Sequence, residues 1–488
     1  MKAIGAWLAL MLAVALFGMY AAACAAARTL YFRDPLNQYD AAYGFTLPVH
    51  LVQAAHPGWP VLAAVWLALA ILAIAGWQLA RALGAASLPV SAAIACWLAI
   101  ALALSFSAIV QSADVYYYVT FGRVYGVHGL NPYYLVKPLD VSGDAALAQV
   151  LGYVRNPPYS DPYGPLWTLL AGAFARPTAS LTLFWQVWSY RMLAVLAGIA
   201  TLGGAAHALR SLPAPERTRR VARLGLHPLF LYETAAGAHN EILMVAPAVW
   251  AFAIADELPL VAALLMGTSI AIKYLTVVAL PFLLWRIAAR SRSAGIIALI
   301  VALAVPALCF KPFWLGTGAF EAAAGHVNVV GMSPTWLLAL PFFTAGLGNA
   351  PAFGVAVELP FLGTLTWPRF VQIILVAAFC AIAVVSFGRF MRDGRLAHLW
   401  RTLTAFFWAS PIIHPWYLLM LTPAAAGRGR WASYAWWFCA LIPLRYALEG
   451  VAAVPTFVLV GLTIVFLAGP VVIAVCGPSW EAAEAGTL

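Results

Sequence analysis

Charge is scarce in this chain. Asp, Glu, Lys and Arg make up 9% of its 488 residues, against 64% hydrophobic ones. No polar block is long enough to fold as a soluble domain, and a mean hydropathy of +0.90 lies far from the mix of one. Paired cysteines are lacking as well. Cys24, Cys96, Cys309, Cys380, Cys439 and Cys476 sit singly in apolar segments, with no CxxC and no metal spacing, and read as small buried residues. There is no Walker loop, no GxSxG and no HExxH, which leaves nucleotide-driven and zinc-dependent mechanisms without support. No repeat of fixed period is visible. The net charge of +10 comes from arginines grouped in short loops, a pattern of topology signals and lipid headgroup contacts, not of nucleic-acid binding.

What the chain has in abundance is apolar runs of roughly 17–25 residues, long enough to cross a bilayer. They predict an all-α polytopic membrane protein, one embedded unit over residues 1–488. Lys2 before a long apolar run, with small residues at Ala21–Ala27, resembles a signal sequence. So many later spans make an uncleaved first helix the expectation. Basic clusters at Arg210–Arg223, Arg286–Arg292, Arg389–Arg401 and Arg428–Arg430 mark the cytoplasmic side. Helices at 4–27, 59–83 and 88–111 then carry the chain out, in and out again, which puts Asp114 on the non-cytoplasmic face. The run 163–175 is too short to span and reads as a re-entrant or interfacial helix, followed by a span at 180–209. Segments 225–238, 240–256, 258–272 and 274–285 are short for spans, with breaks at His239-Asn240-Glu241, Asp256-Glu257 and Lys273. That spacing puts Lys273 and the His-Asn-Glu cluster at one depth, toward the outer face. Spans are expected at 294–311, 369–388, 432–449 and 455–477, with a shorter pair hinged at His414. Segment 312–368 lies outside and carries an interfacial helix at SPTWLLALPFF.

The polar residues concentrate in a few places. Residues 111–167 pack Asp114, Arg123, Asn131 and a run of tyrosines directly behind an apolar helix. An isolated Asp there is most simply a helix-end carboxylate in contact with water. Tyr116, Tyr117, Arg123 and Asn131 beside it suit a sugar and a phosphate better, because aromatic faces pack on sugar C–H surfaces and Arg pairs with phosphate oxygens. His239, Asn240 and Glu241 interrupt an apolar segment. Ionisable groups at membrane depth point to function, although a polar knot tying two half-helices together is compatible with them. Lys273 has apolar residues on both sides and sits far from any charged loop, so snorkelling explains it poorly. His414, alone, reads as a hinge or core histidine; Arg445 reads as a helix-end contact.

These pieces in order resemble the GT-C membrane glycosyltransferases, closest to the bacterial polyprenol-phosphate-mannose-dependent α-mannosyltransferases of lipoglycan and phosphatidylinositol-mannoside synthesis. The resemblance rests on Asp114, Gly122-Arg123, Gly129 with Asn131-Pro132-Tyr133, and Tyr163-Gly164-Pro165-Leu166-Trp167. It continues through HPLFLYETAAGAHNEILM, with Glu241 where Asp is more usual, then Lys273, and SPIIHPWYLLMLTP around His414. It covers residues 100 to 430. The resemblance implies a GT-C-like bundle of about 12–14 membrane helices, some short or broken, with outer-face interfacial helices. It implies an inverting transfer of a hexose, most simply mannose, from a polyprenyl-phosphate donor to a glycolipid or glycan acceptor. The site would lie on the outer face of a bacterial inner membrane, within a catalytic loop over 112–165. Asp114 would be the base, and His414, Lys273 and Arg123 would serve the donor phosphate. Tyr116, Asn131, Tyr163, His239, Asn240 and Glu241 would serve sugar and acceptor. No cofactor or metal is expected, and the partners are the lipid donor, the acceptor and membrane lipids, with no nucleic acid. A transporter or flippase would also carry broken helices around buried charge, but two matching halves are absent from the sequence. Another lipid-linked group transferase is the remaining alternative.

Overall fold

The computed structural model describes residues 1–26, 59–107, 112, 114–134, 143–154, 160–320, 331–339, 356–359, 363–427, 429–445 and 456–476. Contacts group the chain into two compact units, where the sequence suggests one. The first comprises Met1–Ala322 with Pro443–Ala452, and the second Ala323–Ile442 with Ala453–Leu488.

The first unit is a helical bundle. Its long helices are α1 (Lys2–Ala26), α2 (Trp59–Ala85) and α3 (Val90–Leu104). The segment with α4 (Asp114–Gly126), α5 (Ala145–Leu151) and α6 (Pro165–Thr178) follows. Next come α7 (Leu183–Ala208), α8 (Ala214–Gly225), α9 (Pro228–Leu231), α10 (Glu241–Ile254) and α11 (Pro259–Ile272). Helices α12 (Leu280–Ala288) and α13 (Arg292–Phe310) complete it. At 14 residues, α6 is about 21 Å long, too short to cross a hydrocarbon core of about 30 Å. Helix α3 ends at Leu104, earlier than the run to 111 suggests; Ser105 and Ser107 turn their hydroxyls back onto the carbonyls of Leu102 and Leu104.

Small residues decide how closely these helices approach. Gly122 and Gly126, one turn apart on α4, face Ala171 and Gly172 on α6. A Cβ on Gly126 would lie 2.1 Å from the Gly172 carbonyl oxygen, so no side chain fits there. The ends of α7 and α12 carry basic loops, and both are tied to the acidic turn that follows α10. Arg210 pairs with Glu257, while Asp256 receives Arg286 Nε at 2.9 Å and Arg290 at 2.8 Å. Arginines of two basic segments, Arg210 in one and Arg286 with Arg290 in the other, therefore meet the Asp256-Glu257 turn at one end of the bundle.

The second unit contains α14 (Pro334–Ala339), β1 (Ala356–Leu359), β2 (Gly363–Thr366), α15 (Trp367–Asp393), α16 (Ala397–Ala409), α17 (Arg430–Leu441) and α18 (Thr456–Cys476). The two strands form an antiparallel hairpin, Ala356 opposite Thr366, inside the segment expected to lie outside. The interfacial helix expected over 333–343 is present to Ala339, and its remainder is outside the described residues. Across the described residues five helices are long and apolar enough to cross a membrane, within α1, α2, α7, α13 and α15, and five shorter apolar helices accompany them. The all-α membrane class stands, with one small hairpin added.

Candidate active site

The chain breaks where the sequence turns polar. After α9 the backbone widens into a π turn over Tyr232–Ala236, and Gly237 and Ala238 follow, the latter at φ +55°. A β-carbon-bearing residue in the left-handed region is held there by its surroundings, and such strain together with a π turn is typical of functional positions. Helix α10 then starts at Glu241, whose carboxylate suits the positive end of a helix. Helices α10 and α11 are both 14 residues long and pack as a hairpin through the Asp256-Glu257 turn. Equal arms return the chain to its starting level. There Lys273 leaves the helix in extended conformation, φ −156° and ψ 132°, and its ammonium pairs with Glu241.

Asp114 opens α4 beside this break. Its side chain is 21% exposed, and its Oδ2 lies 4.0 Å from Nε2 of the fully buried His239. On the other side of the ring, Nδ1 is 2.7 Å from Oε2 of Glu233, also fully buried. The backbone N–H of Asn240 donates to the Tyr118 hydroxyl at 3.0 Å. Tyr118 meets the Tyr163 ring edge-on at 5.2 Å, and Lys273 Nζ stands 5.3 Å from the centre of that same ring. Asp114, Tyr118, Tyr163, Glu233, His239, Asn240, Glu241 and Lys273 thus form one connected polar cluster from five separate parts of the chain. The three neighbours at 239–241 have three distinct surroundings. His239 lies between Glu233 and Asp114, Glu241 holds Lys273, and the Asn240 amide has no hydrogen-bond partner among the described residues. A buried amide with nothing to bond is a group set aside for a ligand or for water.

The signature residues around the cluster act as its frame. Gly164 starts α6 where the backbone touches α11: its N–H donates to Ile272 O at 3.0 Å, and a Cβ would fall 2.2 Å from Ala271 O. This contact anchors Tyr163 beside Lys273. Asn131 is tied down as well. Its Oδ1 accepts from Tyr133 N at 3.1 Å and its Nδ2 donates to Phe313 O at 2.9 Å, so it pins the loop after α4 to the turn after α13. Tyr116 stacks on Tyr153 at 4.7 Å.

Arg123 takes a different place from the one expected of a phosphate ligand. It sits at the far end of α4, with Nε at 3.0 Å and Nη2 at 2.8 Å from the two Asp144 oxygens. Its Nη1 donates to Ala179 O and to Gln186 Oε1. Four donor contacts on a side chain 5% exposed leave little of the guanidinium for a phosphate. His414 belongs to the second unit. It precedes the 3₁₀ segment Pro415–Ala426, stacks on Trp416 at 4.4 Å, and meets Tyr417 edge-on at 5.1 Å.

Sequence reasoning passed over several participants. Glu233 and Tyr118 lie inside the recognised segments, but nothing in their spacing says that they face His239 and Asn240. Arg191 stood out more: a lone arginine in the apolar run of α7 is a signal by itself. It is 1% exposed, and its Nη1 holds the carbonyls of Ser105 and Ser107 at 2.5 and 2.7 Å, fixing the turn that leads toward Asp114. Asp161 is buried in the loop before α6. It accepts from Tyr163 N at 2.8 Å and from the Thr168 hydroxyl at 2.7 Å. Burial, opposed by these two bonds, pushes its carboxyl up to about 7. Asp144 goes the other way. Burial raises it, but the Leu147 N–H, His128 and Arg123 together hold it below the ordinary carboxylate value.

Comparison with known proteins places the chain in a family. The profile of a family described as alpha-(1→6)-mannopyranosyltransferase, N-terminal domain, matches residues 13–289. That range holds every member of the cluster. The chain is also 27% identical over 381 residues to the alpha-(1→6)-mannopyranosyltransferase A of Mycobacterium tuberculosis. The match covers 73% of this chain and 66% of that protein's own length.

Proposed function

This chain belongs to the alpha-(1→6)-mannopyranosyltransferase family, and on that premise we propose that it transfers mannose from a polyprenyl-phosphate donor to a glycolipid or glycan acceptor, with inversion at the sugar. The observation that carries the reading is Asp114, the partly open carboxylate at the edge of an otherwise buried polar cluster. An inverting transfer needs one base at the acceptor hydroxyl and a cationic site for the departing phosphate. Asp114 takes the proton as the acceptor oxygen bonds to the anomeric carbon. The bond from that carbon to the phosphate oxygen breaks, and its electron pair leaves with the lipid phosphate. Phosphate leaves readily, so no second acid is required.

Lys273, at the edge of this cluster, is the candidate for the phosphate. Asn240 and Tyr163 suit sugar hydroxyls and a sugar face. The lipid tail delivers the donor laterally from the bilayer. The arginine-tied end of the bundle supports a cytoplasmic side opposite the Glu241–Lys273 level, and hence a site facing outward from a bacterial inner membrane, with no metal or cofactor taking part. The decisive assay offers the purified protein in lipid nanodiscs polyprenyl-phosphate-mannose or a nucleotide-linked mannose, with a mannosylated glycolipid as acceptor. Transfer from the lipid-linked donor alone is expected. Transfer from the nucleotide donor, or from neither, would overturn the proposal.

A further inference from the structure

The break before α10 brings Glu233 and His239 together by more than their side chains. The His239 N–H donates to the Glu233 carbonyl at 3.0 Å, and the Gly237 N–H to the Tyr232 carbonyl at 2.8 Å, so the main chain folds back around this pair. Gly237 lies directly against the contact. A Cβ there would be 2.5 Å from His239 Nδ1 and 3.3 Å from Glu233 Oε2. The left-handed Ala238 completes the loop. The result is a buried imidazole whose Nδ1 lies 2.7 Å from the equally buried Glu233 carboxylate and whose Nε2 lies 4.0 Å from Asp114. Nothing in a helix-to-helix connection requires a π turn, a strained alanine and two ionisable groups at membrane depth. A simpler break would avoid burying any of them.

We infer that Glu233 is a positioning residue for the proposed reaction: it holds the His239 ring by Nδ1 so that Nε2 is presented to Asp114, the base. The inference rests on the reading of Asp114 given above. Its logic is that of a carboxylate–histidine pair, in which a buried acid fixes the orientation and tautomer of an imidazole that acts on a third group. The other charged or titratable groups around the ring are Asp114 on α4, Glu241 with its Lys273 partner, and Tyr118, bonded through the Asn240 N–H. With Lys273 committed to Glu241, His239 is the cationic-capable group nearest to Asp114 among the described residues. A ring free to rotate would withdraw Nε2 from Asp114. The acceptor proton would then meet a carboxylate with one neighbour missing and its position unset, and misplacement by about 1 Å is enough to cost on the order of 10²-fold in rate.

Glu233→Gln and His239→Ala, alone and combined, test this in nanodiscs, with folding followed by thermal unfolding. Wild-type transfer is measured first. No transfer at all would remove the proposed function, whereas an active wild type isolates the role of Glu233. The expected result is a fall in kcat on the order of 10²-fold for Glu233→Gln with the donor KM within about threefold. In the His239→Ala background the same substitution is expected to change kcat by less than about twofold, because a residue acting through the ring has nothing left to act on. A kcat within about twofold of wild type for Glu233→Gln, or losses that simply multiply in the double variant, would overturn the inference. Should Glu233→Gln fail to fold, Gly237→Ala decides, since it keeps both side chains and pushes on the Nδ1 side of the ring, where it faces Glu233. A kcat fall at unchanged KM supports the inference, and wild-type kcat overturns it.

Discussion

Two charged clusters stand at the two ends of α4, and they are built on opposite plans. At the Arg123 end the circuit is closed: a two-pronged grip on Asp144, two further acceptors on Nη1, and His128 Nε2 2.8 Å from the same carboxylate. Asp144 also caps α5 by accepting from Leu147 N. Such a cluster fixes a loop and has little left to offer a ligand. At the Asp114 end the circuit is open. The carboxylate is partly exposed, its nearest imidazole stands at 4.0 Å, and the Asn240 amide and one Glu241 oxygen are buried without a hydrogen bond among the described residues. Residue type distinguishes these clusters poorly, since both combine acids, a histidine and a base. Completeness of bonding distinguishes them well. A fully satisfied polar network stabilises; an unfinished one has groups left over for a ligand or water.

The largest effect expected from breaking this contrast is at Asp114. Asp114→Asn keeps the shape but cannot take the acceptor proton, so transfer should fall ~10²–10⁴-fold, the scale of one general base, while the protein still folds and inserts. Activity within about threefold of wild type would take Asp114 out of the mechanism. Arg123→Ala should do the reverse. It strands the buried Asp144 carboxylate and should lower stability by about 3–5 kcal/mol in denaturant unfolding, yet the folded fraction should keep a near-normal kcat. A specific loss of kcat at full stability would return Arg123 to the phosphate.

Smaller in scale is Lys273→Met. Removing the ammonium leaves the Glu241 carboxylate buried, and if Lys273 also meets the donor phosphate, the donor KM should rise by about tenfold, the order of one charge-assisted contact. An unchanged KM with a lower melting temperature would confine Lys273 to holding Glu241.

Asp161 gives the smallest effect and the one with a clear pH sign. Its carboxyl is raised from the model-compound value of 3.8 to about 7, so the folded state favours the protonated form. Its contribution is complete below the unfolded value and is lost as pH rises through 7. Asp161→Asn keeps a neutral hydrogen-bonding group and should flatten the fall in stability between about pH 4 and pH 7. An identical pH dependence in wild type and variant would show that the loop does not feel this group.

Much of this was legible in the residues alone. Low charge and long apolar runs determined the membrane class, because every buried backbone group in lipid must be satisfied within a helix. Polar interruptions at His239-Asn240-Glu241, Asp256-Glu257 and Lys273 marked the ends of α10 and α11, since such groups are disfavoured inside a span. The two short segments between those marks, 240–256 and 258–272, already put Lys273 and the His-Asn-Glu cluster at one depth. What the sequence left open were the choices made by side-chain direction and by contacts between distant segments. Whether Arg123 faces a substrate or Asp144, whether His239 turns to Asp114, and that Glu233 stands behind the ring depend on the π turn, on Ala238 and on the glycine-limited approach of α4 to α6. Those features arise from three-dimensional packing, in part between segments more than a hundred residues apart, such as Tyr118 and Asn240. No periodicity along a single chain records them.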